Sequence, residues 1–314
     1  MHLLVSVRGY AIRIVLLCMA ITLPALSEAE DLAQGHHLWT VDTANGGKTF
    51  IAAGTYATDP RADVILHRQL KAIGNVKLVA LSSDGRAPEI AKEAWMRKAS
   101  EALPADLQAE VEKEVAPVLA SVGMPTDKLH DAPLQVFRLL LPFGTGQLQA
   151  NSNSRNETTY HKYLGDYIRK QGAQPIILRI RSAAELQSKA ADMEKEDVLP
   201  PQEIIRRLME DRRQNGPLAE RAMQTIIAGD WSGREKLTPI FGMTLFGLEP
   251  DAYRRHRDIT GSSLADLAEP VLAKPGPNLI VVWEVEDLGG SSGMIATLQN
   301  RGFRIIPLAL PDVP

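Results

Sequence analysis

Cysteine is almost missing from this sequence: Cys18 is the only one in 314 residues. That excludes an intramolecular disulfide framework and a thiolate zinc site. Aromatic side chains are scarce at 5%, which disfavours a surface that stacks on bases or sugar rings. An excess of either charge is lacking too, since 35 Lys and Arg stand against 38 Asp and Glu for a formal charge of −3. A balance that close to neutral argues against a dedicated nucleic-acid or anionic-membrane binder. What is present, 45% hydrophobic and 23% charged residues, matches a globular domain and excludes general disorder or a membrane bundle. At roughly 150 residues per domain the length allows two domains or one large one.

Long apolar runs are also few, and the first is short. Arg8 and Arg13 introduce an apolar stretch over residues 14–26. It fits the hydrophobic region of a signal peptide, whereas a bilayer span takes about 17–25 residues. Pro24 breaks the stretch, and Ser27-Glu28-Ala29 supplies small residues at the −3 and −1 positions of a cleavage site. Leu17, ahead of Cys18, is not the small residue of a lipoprotein signal. The sequence thus predicts a signal peptide over residues 1–29, cleaved after Ala29, and export to a bacterial periplasm or the exterior. The mature domain, residues 30–314, carries no second stretch that could hold it in a membrane.

In the mature chain, Trp39-Thr-Val and Thr49-Phe-Ile-Ala-Ala flank Asn45-Gly46-Gly47, the signature of a hairpin. A helix is expected from about residue 61 to 73, with Pro60 in its first turn and Asp59 as a candidate cap. Gly74-Asn75 stops it, and residues 76–81 read as a strand, completing a βαβ unit. Residues 87–141 carry helical periodicity broken at Pro104, at Gly123-Met-Pro125 and at Pro142. Residues 143–159 are polar and rich in Gly, Asn, Ser and Thr, the expected flexible loop. Helix over 160–171, strand over 174–181 and mostly helix over 183–273 follow. The end repeats the beginning, with a strand over 279–285, a Gly-rich loop over 286–293, a helix to about 300 and a strand over 303–308. The fold class is therefore α/β: two βαβ-like units at the N- and C-terminal ends form a central sheet, around a large, mostly helical middle. In such folds ligands gather outside the carboxyl ends of the strands, which directs attention to residues 54–60 and 284–293.

The motifs there are weak. Gly289-Gly290-Ser291-Ser292-Gly293 lies between strand and helix, where free N–H groups can hold an anion, but it lacks the lysine of a nucleotide loop and reads as a tight turn. Ser-x-x-Lys and His-Glu-x-x-His do not occur. His36 and His37 are adjacent, so on a strand they point to opposite faces and do not chelate one metal. These two, with His67, His130, His161 and His256, are expected to be ordinary surface histidines. Arg206, Arg207, Arg212 and Arg213 with Glu210 and Asp211 read as a solvated helix face. Arg254-Arg255-His256-Arg257-Asp258 is a denser cluster that could orient a ligand. Glu284, Glu286 and Asp287 end a buried-type strand, where carboxylates need solvent, a partner or a hard cation such as Mg²⁺ or Ca²⁺.

The order of these pieces resembles the TraB/GumN family, which includes the TIKI-type metalloproteases. Leu38-Trp39 and Gly54-Thr55-Tyr56-Ala57 look like its opening Leu-Trp and Gly-Thr-x-His. Asp287-Leu288-Gly289-Gly290-Ser291-Ser292-Gly293 with Leu298-Gln-Asn-Arg-Gly302-Phe looks like its closing His-Leu-x-Gly-x-x-Gly and Leu-x-x-x-Gly-Tyr. Gly229-Asp230 resembles its central Gly-Asp, and Arg257-Asp258 its Arg-Asn. The resemblance implies a divalent-metal hydrolase acting on peptides. The family's histidines fall on Ala57 and Asp287, however, the glycine opening its second motif on Glu284, its strand-end acid on Ala80, and its central Leu-Glu on Arg179 or Ile180. Alanine offers a metal no lone pair, and a nearby arginine repels it. The expected function is thus that of a non-catalytic, exported relative, a pseudoenzyme without cofactor. It would bind a peptide, glycan or protein partner in a vestigial cleft around Gly54, Thr55, Tyr56, Asp59, Arg257, Glu284, Glu286, Asp287 and Gly290. The alternative is an active hydrolase with a rebuilt carboxylate site. There Asp287 and Glu286, joined by Glu284 or Asp59, hold a divalent metal (Mn²⁺, Mg²⁺, Ca²⁺ or Zn²⁺) that activates water. The remaining alternative is an α/β binding protein outside this family.

Overall fold

The computed structural model describes residues 32–42, 47–54, 60–83, 93–121, 123, 125–145, 159–179, 182, 184–185, 187–188, 192, 199–250 and 260–311. Strands β1 (Leu38–Asp42) and β2 (Lys48–Ala53) form the expected hairpin, in register from Leu38 opposite Ala52 to Asp42 opposite Lys48. The turn residues 43–46 between them lie outside the described residues. Helix α1 (Pro60–Ile73) buries Ala62, Leu66, Gln69 and Ile73 along one side, and strand β3 (Leu78–Ser83) follows.

The middle is helical. Short helices α2 (Glu93–Met96) and α3 (Ala99–Ala102) lead to α4 (Ala105–Ala120), a 3₁₀ turn (Leu129–Asp131) and α5 (Leu134–Leu140). Helix α6 (Thr159–Gln171) and strand β4 (Gln174–Arg179) return the chain to the sheet. Then come α7 (Pro201–Asn215), α8 (Leu218–Ala228), α9 (Trp231–Phe246) and α10 (Gly261–Leu272). Part of this segment has a core of its own, where Trp95, Val111, Phe137, Ile204, Ile205 and Met243 pack together. The proposed flexible loop falls mostly on residues 146–158, outside the described residues, as does the 254–258 cluster. Strand β5 (Asn278–Val282), helix α11 (Met294–Asn300) and strand β6 (Arg304–Pro307) close the fold.

The six strands form one mixed sheet in the order β4-β3-β5-β2-β1-β6. β2, β3, β4 and β5 are parallel to one another, and β1 is antiparallel to both β2 and β6. β5 therefore lies between the two parallel strands of the N-terminal βαβ unit, and β6 joins the outer side of β1. The two end units interleave in a single sheet. α1 and α6 pack on one face, through Leu66, Ile73 and Leu164 against Leu38, Phe50, Val79 and Val281. α10 and α11 pack on the other, through Leu264, Ala268, Ile295 and Leu298 against Trp39, Ile51, Ala80 and Ile280. Burial on both faces explains why β1, β2 and β5 read as nearly continuous apolar runs rather than alternating ones.

Three local expectations are corrected. β3 starts at Leu78 and runs to Ser83, two residues later than its apolar run suggests. β5 stops at Val282 instead of residue 285 because its partner β2 has ended. Gly54 N–H takes the Val282 carbonyl at 2.7 Å, and the next N–H, that of Trp283, turns to the Ser82 hydroxyl at 3.0 Å. Arg212 is not on a solvated face, its side chain being 13% exposed. Its Nε donates to Glu114 at 3.0 Å, and Nη1 donates to the Leu141 and Phe143 carbonyls, each at 2.7 Å. It thus satisfies the carbonyls released where α5 ends.

Candidate functional site

The carboxyl ends of β2, β3 and β5 meet at one edge of the sheet. The loop after β2 leads to α1 on one face, and the loop after β5 leads to α11 on the other. Adjacent strands whose connections diverge in this way open a crevice between them. Among the described residues, side chains at these strand ends pack against one another. The Trp283 indole covers Gly54, where a Cβ would lie 2.6 Å from Trp283 Cε3 and 3.0 Å from Val281 Cγ1. Glycine at position 54 is therefore required by the approach of the indole. On the opposite face Ser82, fully buried, donates its hydroxyl proton to Glu284 Oε2 while accepting the Trp283 N–H. The carboxylate that ends β5 is thus tied to the end of β3.

After Glu284 the chain makes a 3₁₀ turn (Val285–Asp287) that buries Val285 and leaves Glu286 and Asp287 half-buried. The glycines that follow serve packing. A Cβ on Gly289 would meet Trp231 Cβ at 2.8 Å, and one on Gly293 would meet the Gly289 carbonyl oxygen at 2.0 Å. The Gly293 N–H donates to the Gly290 carbonyl at 3.1 Å. This is the expected tight turn, and its N–H groups point back into the chain at Gly293. Gly290, by contrast, faces open space.

Of the cleft residues expected from the sequence, the structure brings together Gly54 and Glu284, with Glu286, Asp287 and Gly290 on the turn that follows. Thr55, Tyr56, Ala57, Asp59 and Arg257 lie outside the described residues, as does Ile180. Ala80 sits in the middle of β3, opposite Ile176 and Ile280, in the apolar core. Arg179 is exposed at the end of the edge strand β4. Among the described residues no three His, Cys, Asp or Glu side chains are grouped to hold a metal ion, and no described helix is long and apolar enough to cross a membrane. Sequence reasoning missed Ser82 and Trp283. The available signal was the Ser82-Ser83 pair that closes an apolar strand.

A second cluster forms at the same sheet edge on the far side of β2, where residues 32–37 are strapped across the α8–α9 junction. Gly35 N–H donates to Gly229 O at 3.1 Å, and the Trp231 N–H to Gln34 Oε1 at 3.1 Å. Gly229, in the left-handed region at φ +64°, ends α8, and Asp230 caps α9 by accepting the Gly233 N–H at 2.8 Å. His37 departs from the expectation of a surface histidine. Its Nε2 bonds the Ile226 carbonyl at 2.6 Å, and its ring meets Trp231 edge-on at 5.7 Å. Burial lowers the His37 pKa below its ordinary 6.5, with the neighbouring His36 adding to the effect and the Ile226 bond opposing it. The bonded nitrogen is then the protonated one, because the carbonyl can only accept.

The sign of the resulting pH dependence follows. Below the ordinary pKa the unfolded chain binds a proton that folded His37 resists, so its contribution is present above pH 6.5 and is lost as pH falls towards the lower, folded value. The wild type should lose stability on acidification below pH 6.5 more steeply than His37→Gln. The difference should be at most about 1.4 kcal/mol per pH unit. Urea unfolding at a series of pH values measures both slopes, and parallel slopes would remove His37 from the account.

No family model, curated protein or solved structure matches the chain.

Proposed function

We propose that the chain is an exported, non-catalytic relative of the TraB/GumN metal-dependent peptidases, which binds a peptide, glycan or protein partner at the mouth of its former cleft. One observation carries this reading: at the carboxyl ends of β2 and β5 Trp283 packs over Gly54, and the carboxylate that follows β5, Glu284, is bonded to Ser82. A catalytic metal needs ligands free to bind it and an open coordination position for water, and the Glu284 carboxylate is already committed to Ser82. Ala80, standing where the family carries an acid, adds to the apolar core instead. The half-buried Glu286 and Asp287 and the open Gly290 form the rim left for a partner.

Elemental analysis of protein purified without chelator or metal column tests the reading. The expected result is well under one equivalent of divalent metal, with no rise in melting temperature on adding Mn²⁺, Mg²⁺, Ca²⁺ or Zn²⁺. Asp287→Ala should then leave the melting temperature nearly unchanged. About one tightly held equivalent, lost in Asp287→Ala, would overturn the proposal in favour of the rebuilt-site hydrolase.

A further inference from the structure

Strand β4 forms one edge of the sheet, and among the described residues it pairs with β3 alone. An edge can take an incoming strand, and proteins commonly guard it with proline or charge. In a parallel pair, successive residues turn their main-chain groups alternately towards the neighbour and away from it. The Gln174 N–H donates to the Lys77 carbonyl at 2.9 Å, which fixes the phase. Gln174, Ile176 and Leu178 therefore face β3, whereas Pro175, Ile177 and Arg179 present their main-chain groups outward. Pro175 has no N–H and guards the start of the edge. The N–H groups of Ile177 and Arg179, with the carbonyls of all three, remain for a new strand. The side chains of the same three residues share one face of the sheet. Ile176 and Leu178 pack on the core from the other. Pro175 and Arg179 are exposed, and Ile177, at 60%, is the most exposed large apolar side chain among the described residues.

Charge selects the occupant. No described carboxylate pairs with the Arg179 guanidinium, so this end of the edge calls for an acid. A second copy of the chain, paired antiparallel about Ile177, would set Arg179 opposite Pro175 and give it no counter-charge. A glycan has no row of N–H and C=O groups spaced to match a strand. A peptide supplies that row whatever its sequence, and its side chains then decide which peptide is taken. Ile177 matches a β-branched apolar residue directly opposite, and Arg179 matches a carboxylate, both favourable cross-strand pairs. Antiparallel addition makes the stronger ladder, and Pro175 costs such a strand one bond.

We propose that β4 takes an additional, antiparallel strand from a partner protein: an extended segment with a β-branched apolar residue opposite Ile177 and a carboxylate two residues before it, opposite Arg179. The surface shares no residue with Gly54, Ser82, Trp283 or Glu284, so it stands or falls apart from the family reading. Fluorescence anisotropy of the full chain with a labelled, end-blocked peptide, Thr-Thr-Glu-Thr-Ile-Thr-Thr, tests it. The peptide should saturate one site, and replacing its glutamate by lysine should weaken it at least about tenfold. N-methylation of its isoleucine removes the donor to the Ile177 carbonyl and should abolish binding. N-methylation of the threonine before it, whose N–H points away from β4, should leave the affinity within about twofold. Arg179→Glu, at an exposed strand end, should transfer the preference to the lysine peptide with an unchanged melting temperature. No binding of the glutamate peptide at about 1 mM, equal loss from the two N-methylations, or indifference to Arg179→Glu would overturn the proposal. So would a dimer of the full chain in sedimentation velocity that Ile177→Lys dissolves, since a second copy would then hold the edge.

Discussion

Trp231→Ala should cost about 3–5 kcal/mol of stability, the range for truncating a large buried aromatic side chain. Trp231 is 1% exposed at the start of α9. Its indole N–H donates to the carbonyls of Ala33 at 3.0 Å and His36 at 3.2 Å. Its ring receives the edge of His37, and its Cβ fills the space left by the missing side chain of Gly289. One residue thus joins the N-terminal strap, the α8–α9 junction and the turn after β5. Alanine would leave a cavity and two carbonyls without their donor, and the two penalties add. Urea unfolding followed by far-UV circular dichroism measures the loss, and a change under about 1 kcal/mol would contradict the assigned role. Amide exchange should at the same time speed up over residues 32–37, because the strap loses its anchor.

Gly261→Ala should cost about 3 kcal/mol by overpacking, at the upper end of the usual range. Gly261 opens α10, and a Cβ there would lie 2.2 Å from Gly293 C, 2.3 Å from Ser292 O and 2.4 Å from Met294 N. All three are backbone atoms at the start of α11, so no side chain can swing aside. The two helix starts would have to separate, and with them the apolar contact of Leu264 and Ala265 with Ile295. Ser262→Ala, one residue on, is the control and should change stability by no more than about 0.5 kcal/mol. Equal midpoints for Gly261→Ala and the wild type would show that the helices can part without loss.

The fold was legible where local chemistry and tertiary context agree. Apolar residues either side of an Asn-Gly-Gly turn give β1 and β2, and the stretch from Pro60 to Gly74 carries its own start and stop. The α/β class followed from strands and helices at both ends. Strand order was not legible: nothing local in residues 278–282 says that they enter between β2 and β3. The limits of β3 and β5 were misjudged for a related reason, since a strand ends where its neighbours end rather than where apolar residues do. Arg212 and His37 show the same limit among polar groups. Each belongs to a residue type usually found at the surface, and each is drawn inward by carbonyls remote in sequence, those of Leu141, Phe143 and Ile226. At the candidate site, Glu284 and the Gly-rich turn were legible from composition alone. Their commitment to Ser82 and to Trp231 depends on strands and helices packed from far along the chain.

The placement of β5 also sets a timetable for folding. β2 and β3 are separated by only one helix in sequence, yet they are not neighbours in the sheet, because both pair with a strand that begins at Asn278. A nascent or nicked chain lacking that strand would present two unpaired parallel edges, each rich in Val, Ile, Leu or Ala and open to association with another chain. Closing the sheet must wait for contacts some two hundred residues apart, which makes assembly slow relative to folds built from local pairs. Residues 278–282 are therefore the keystone of strands that precede them by some two hundred residues, and a chaperone that shields β2 and β3 would have to hold them until β5 arrives.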